Sequence, residues 1–152
     1  MSGYARGEAP PVKGVGAPIR IVSLSIQSTD AKILSAPAEE AAREFGIDIE
    51  VFCANSAETD EDVLSYQKLV AATREADFVF IRCMSDPSKF RYFSRYESVL
   101  RSAKGYVFLY SGNAEARLIY RDLFKGSDED YLLLCRYFNY RGAQNDRSII
   151  LW

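Results

Sequence analysis

Apolar and polar positions along this chain follow two alternating rhythms. Four short runs are almost continuously apolar or β-branched: IRIVSLSI at 19–26, IDIEVFCA at 47–54, DFVFIRCM at 77–84 and GYVFLYSG at 105–112. Between them lie longer stretches in which apolar residues return every three or four positions. The first rhythm predicts strands covered on both faces, and the second predicts helices that pack by one face. The expected helices run over 30–45, 60–76, 87–103, 113–124 and 128–140, and the apolar tail SIILW closes the chain at 148–152. Strand-helix alternation of this kind predicts an α/β fold. The expectation is a doubly wound, mainly parallel sheet of about four strands in flavodoxin-like order 2-1-3-4, with additional C-terminal helices.

Punctuation residues sharpen the boundaries. Residues 1–18 hold four glycines and three prolines and read as a flexible leader. A single α/β domain is expected over 19–152. Thr29 or Asp30 is placed to cap the first helix, and Gly46 to stop it. Pro37 lies inside that helix, so the helix either kinks or starts late with Ser35 as its cap. On the helix at 60–76, Val63, Tyr66, Leu69, Val70 and Thr73 fall on one face. Pro87 suits the first turn of the helix after Asp86.

Composition then removes several chemistries. The chain has no histidine, which excludes His-based general bases, the Ser-His-Asp triad and His-ligated zinc or haem. Cys53, Cys83 and Cys135 are scattered and form no C-x-x-C, so they read as core thiols of a cytoplasmic protein rather than a disulfide framework. No run approaches the ~20 apolar residues that a membrane-spanning helix needs. The net charge of −2 and pI near 5.3 argue against a nucleic-acid module. The halves differ, however: residues 1–76 carry 7 basic and 12 acidic side chains, and residues 77–152 carry 12 basic and 9 acidic. Lys89, Arg91, Arg95, Arg101 and Lys104 alternate with Phe90, Tyr92, Phe93 and Tyr96. That helix reads as amphipathic, with a face that binds RNA or a partner's acidic surface as the alternative.

Ligands of open parallel sheets bind beyond the carboxyl ends of the strands. Ser28, Thr29 and Asp30 follow the first strand. They form either a plain cap or a place where backbone N–H groups bind a phosphate or carboxylate. Arg82 ends the third strand and can clamp a carboxylate or pair with Asp86. Ser111 and Asn113 flank Gly112 after the fourth strand, as a close-approach turn or a cap. The loop Asn55-Ser56-Ala57 after the second strand is less suggestive. No Walker loop is present, Gly14-Val15-Gly16 precedes a strand instead of following one, and Arg82 stands where a phospho-receiver needs an acid.

Four segments together carry a family resemblance: IVSLSIQSTD, DFVFIRCM, GYVFLYSGN and YLLLCRYFNYRGAQNDRSIILW, with Gly142 and Asn145 at matching places in the last. In this order, from Ile19 to Trp152, the chain resembles the N-terminal region of the large subunit of ATP-dependent cobaltochelatase and of the related magnesium-chelatase H subunit. It departs from the family at Cys83-Met84-Ser85, where glycines are usual, and in keeping only Gly142 of a glycine pair. Chelatase large subunits are several times longer, so the resemblance implies an N-terminal fragment of a bigger subunit. It implies a ligase component that helps enclose a tetrapyrrole or dock partners while cobalt or magnesium is inserted. No cofactor is expected in this domain, since ATP is handled by separate motor subunits, and the fragment is not expected to be active alone. The partners implied are the rest of the large subunit, the ATPase motor subunits and the tetrapyrrole. Two rival readings remain: a flavin-binding domain, with Tyr92 or Tyr110 stacked on the flavin ring, and a non-catalytic interaction module using the helix at 87–104.

Overall fold

The computed structural model describes residues 17–27, 30–139 and 143–152. Four parallel strands form one sheet: β1 (Ile19–Ile26), β2 (Ile49–Asn55), β3 (Phe78–Cys83) and β4 (Tyr106–Ser111), in the order β2-β1-β3-β4. The helices are α1 (Ser35–Phe45), α2 (Ser56–Glu61), α3 (Val63–Glu75), α4 (Phe93–Arg101), α5 (Ala114–Ile119), α6 (Asp128–Asn139) and α7 (Ala143–Leu151). The expected doubly wound α/β fold and its 2-1-3-4 order are therefore present.

The continuous apolar runs of β1, β3 and β4 are explained by cover on both faces of the sheet, and β2 is a partly exposed edge strand. Val22, Leu24, Ile26, Val79, Ile81, Val107 and Leu109 point to one side and meet Leu69 of α3 and Phe93, Tyr96 and Leu100 of α4. Ile21, Phe80, Tyr106, Phe108 and Tyr110 point to the other and meet Tyr131, Leu134 and Phe138 of α6 and Ile149 of α7. This second core is strongly aromatic, with Phe138 in ring contact with Phe80, Phe108 and Tyr110. In the first core, Tyr96 is fully buried and its hydroxyl is satisfied by Thr73 Oγ1 at 2.7 Å. Burial without that partner would be costly.

Several sequence expectations need correction. The first helix does begin late, but Ser35 is not its cap. A 3₁₀ turn at Asp30–Leu34 leads directly into α1, Leu34 holds the cap position without a side-chain bond, and the Ser35 hydroxyl lies 3.4 Å from the Cys53 thiol. Pro37 falls within the first turn of α1, where a missing N–H breaks no helical bond, so it produces no kink. Gly46 ends the helix in the left-handed region, as expected.

The helix expected at 60–76 is two helices. Asp62 adopts an extended conformation between α2 and α3 and accepts the Leu64 N–H at 3.0 Å, because a short acidic side chain caps a new helix better than it extends an old one. Val63 consequently lies outside the buried face and is exposed, whereas Leu69 and Thr73 are buried. The expected helix at 87–103 begins instead as a 3₁₀ turn at Pro87–Lys89, capped by Asp86, and becomes α-helical only at Phe93. Its aromatic residues Phe90, Phe93 and Tyr96 are all inward, which is the amphipathic reading of the basic aromatic stretch.

Candidate functional site at the strand ends

The strand order reverses between β1 and β3, so the loops after these strands part there, where open α/β sheets receive ligands. In this chain, hydrogen bonds tie the loops at that edge together. Gln27 sits at φ 60°, a conformation that non-glycine residues seldom adopt. Its N–H donates to Ser56 Oγ at 3.1 Å, after β2, and its side-chain oxygen accepts the Ser85 hydroxyl at 2.7 Å, after β3. The Ser85 carbonyl in turn accepts the hydroxyl of Ser111, the last residue of β4. One clasp thus crosses all four strand ends and holds their loops in register.

The candidate residues fall around this clasp unequally. Ser28 and Thr29 lie outside the described residues, and Asp30 opens the 3₁₀ turn before α1. Ser111 is fully buried, and besides its bond to Ser85 its oxygen accepts the Asn113 N–H at 3.0 Å. Asn113 is exposed and caps α5, accepting the N–H groups of Glu115 and Ala116 at 2.9 and 3.4 Å. Arg82 is half-buried and already interacts with neighbouring groups. The sheet register aligns it with Ser25 of β1 and Tyr110 of β4, and the alternation of strand side chains puts all three on the α6 side. The structure therefore brings Arg82, Ser111 and Asn113 to adjacent strand ends. Asp86 is occupied as a cap, and the Ser88 N–H holds its carboxyl below the usual range.

Two proposed stacking platforms are covered. Tyr110 is 6% exposed, lies against Phe138 and donates its hydroxyl to Asn139 Oδ1 at 2.8 Å. Tyr92 stacks on Tyr66 at 4.5 Å, with the Arg91 guanidinium 5.5 Å from its ring. On the basic helix, Arg101 binds Glu97 and Asp122.

Sequence reading gave no role to Gln27, which it placed only within the first strand-end loop, and missed the arginines of α5, of the turn after it and of α6. A cleft of about 540 Å³ beside Tyr110, between α5 and α6, contains Arg117, Arg121 and Arg136. The four-residue step from Arg117 to Arg121, just after a strand-end turn in the basic half of the chain, was the available signal.

Among the described residues, no cluster of three or more potential metal ligands forms, and no helix is long and apolar enough to cross a membrane. Cys83, at the end of β3, is 2% exposed, and burial pushes its thiol from 9.0 up to about 11. The unfolded chain gives up this proton near pH 9 while the native protein keeps it. The thiol's contribution to stability is whole below pH 9 and disappears as pH rises through 11. Unfolding free energy should therefore fall by about 2 kcal/mol across that window, with a flatter profile in Cys83→Ala. Urea titrations at stepped pH measure both slopes, and parallel slopes would remove burial of this thiol as the cause.

A scan against models of known protein families matches none of them, and a search of curated proteins finds no relative of this chain.

Proposed function

We propose that this chain is the N-terminal domain of a tetrapyrrole-handling large subunit of the ATP-dependent cobaltochelatase and magnesium-chelatase type. In this reading it helps enclose the macrocycle or dock partner subunits, while motor subunits elsewhere hydrolyse ATP. The observation that supports it is spatial. The four segments that carry the resemblance are far apart in sequence, yet β1, β3, β4 and the end of α6 meet at one end of the sheet. Ser25, Arg82 and Tyr110 stand in one register row there, and Tyr110 is bonded to Asn139 of α6. Packing alone asks for apolar side chains on a covered sheet face, so a serine, an arginine and a tyrosine in one row favour a polar task.

In the proposed role, Arg82 presents its guanidinium to a ring carboxylate at the strand ends, where its planar fork of donors matches the two oxygens. Gly142 lies outside the described residues, and so does the side chain of Asn145.

Titration of the protein with a water-soluble porphyrin and with a corrinoid, followed by absorbance, tests the reading. A saturable spectral shift is expected, and Arg82→Ala should weaken it about tenfold, the worth of one charged hydrogen-bonded contact. Arg82→Lys, which keeps the charge, should fall between the two if circular dichroism shows all three proteins folded. No spectral change at high micromolar ring concentration, or equal affinity in folded Arg82→Ala, would sink the assignment of ring contact to these strand ends.

A further inference from the structure

The geometry points to a second binding site, in the cleft between α5 and α6, for a small organic anion that carries two or more carboxylate or phosphate groups on an apolar body. The cleft lies at the open edge of the sheet beside β4, and no acidic side chain lines it. Three guanidinium groups do. Arg117 lies over the Tyr110 ring at 5.4 Å and donates to the Ser111 carbonyl at 2.8 Å. Arg121 lies over the Tyr131 ring at 4.4 Å, donates to the Phe124 carbonyl at 3.1 Å and pairs with the exposed carboxylate of Asp128. Arg136 forms no ion pair among the described residues. One carboxylate therefore answers three cations, and the cleft keeps an excess of positive charge.

Two of the cations are also held in place before any ligand arrives. Stacking on a ring and bonding to a carbonyl restrict Arg117 and Arg121, while each guanidinium keeps further N–H donors for a guest. Asn139 adds a neutral donor: its oxygen is taken by the Tyr110 hydroxyl, which leaves its amide N–H groups to act. Side-chain freedom lost in advance is not lost again on binding, and that favours affinity.

The rims have the opposite chemistry. Leu118 and Leu132 line the cleft and are 79% and 63% exposed. Paired exposed leucines above a basic floor suit a ligand with an apolar body and anionic arms. A volume of about 540 Å³ is that of a small-molecule cleft. An acidic peptide is the less fitting guest, because two of the three cations, Arg117 and Arg121, lie against the rings they cover rather than in an exposed row.

Calorimetric titration at low salt, with trimellitate, adenosine diphosphate and inorganic phosphate as probes, tests the site and separates carboxylate from phosphate recognition. At least one aromatic anion should bind with Kd near or below about 100 μM, and inorganic phosphate should bind at least about tenfold more weakly. Arg136 is exposed and outside the core, so Arg136→Ala should fold and should weaken the aromatic anion about tenfold, with Arg136→Lys intermediate. Raised salt should weaken binding as well.

Absence of binding by both aromatic anions at millimolar concentration overturns the site. So does equal affinity for inorganic phosphate, unchanged affinity in Arg136→Ala, or binding of a polyglutamate peptide with none of the small anions. No probe is a tetrapyrrole and Arg82 does not line the cleft, so failure here leaves the chelatase reading standing and failure there leaves this site standing.

Discussion

Alanine in place of Phe138 should lower the free energy of unfolding by about 3–5 kcal/mol. Phe138 is 1% exposed and closes the aromatic core on the α6 side of the sheet. Its ring centre lies 5.9 Å from that of Phe80, 5.3 Å from that of Phe108 and 6.0 Å from that of Tyr110. One side chain thus joins α6 to both β3 and β4. Its removal loses the transfer energy of the ring, the contacts of three aromatic pairs and the packing of a space that stiff neighbours cannot refill. A domain of this size is stable by about 5–15 kcal/mol, so the variant should stand near the edge of folding. Urea unfolding followed by fluorescence and circular dichroism measures it. Leu132→Ala, on the exposed side of the same helix, should change stability by no more than about 0.5 kcal/mol. A loss below about 1.5 kcal/mol in Phe138→Ala would show that α6 is not anchored through this ring. The same change should loosen the cleft beside it, because the Tyr110–Asn139 bond that shapes the cleft wall depends on α6 staying seated.

The sheet was legible in the sequence because its signal is local. Each strand is a run of apolar and β-branched residues bounded by turn residues, and in β1, β3 and β4 burial on both faces leaves that run nearly unbroken; the bounds that the sequence predicts for β1, Ile19–Ile26, are its bounds in the structure. The helices were less legible because their ends depend on single competing bonds. Asp62 could continue a helix or cap a new one, and the N–H of Leu64 decides for the cap. Ser35 has the right side chain for a cap, yet the 3₁₀ turn before it already supplies the helical start, so its hydroxyl turns to Cys53. The site divides in the same way. Arg82 could be placed at a strand end because strand ends can be read. The Gln27 clasp depends on a left-handed backbone at a residue with no glycine-like signature, and on a serine 58 positions away. The arginine cleft needs α5 and α6 laid side by side, and no periodicity within either helix states which face meets the other.

Gly105→Ala should be severe for a different reason, with a loss of about 3 kcal/mol or more. A Cβ at Gly105 would lie 2.2 Å from the carbonyl oxygen of Asp77, 2.4 Å from its carbonyl carbon and 2.6 Å from the carbonyl oxygen of Ala76. All three atoms are backbone, so no rotamer change can make room. The backbone itself is held by the sheet. Tyr106 N–H donates to the Asp77 carbonyl at 2.9 Å, Asp77 N–H donates to the Arg20 carbonyl at 2.8 Å, and the Arg20 N–H donates to the Asp77 carboxylate at 2.9 Å. Asp77 is therefore the knot from which β1, β3 and β4 start together, and a methyl group at Gly105 must push that knot apart. Gly46 supplies the control: its φ is +63° but nothing lies within 4 Å of an added Cβ, so Gly46→Ala carries left-handed strain alone, about 1–2 kcal/mol. Thermal and urea unfolding of the two variants separate the effects. If Gly105→Ala is destabilised no more than Gly46→Ala, the close approach of β4's entry to Asp77 is wrong. If it is far worse, the strand starts are joined by contact as well as by hydrogen bonds.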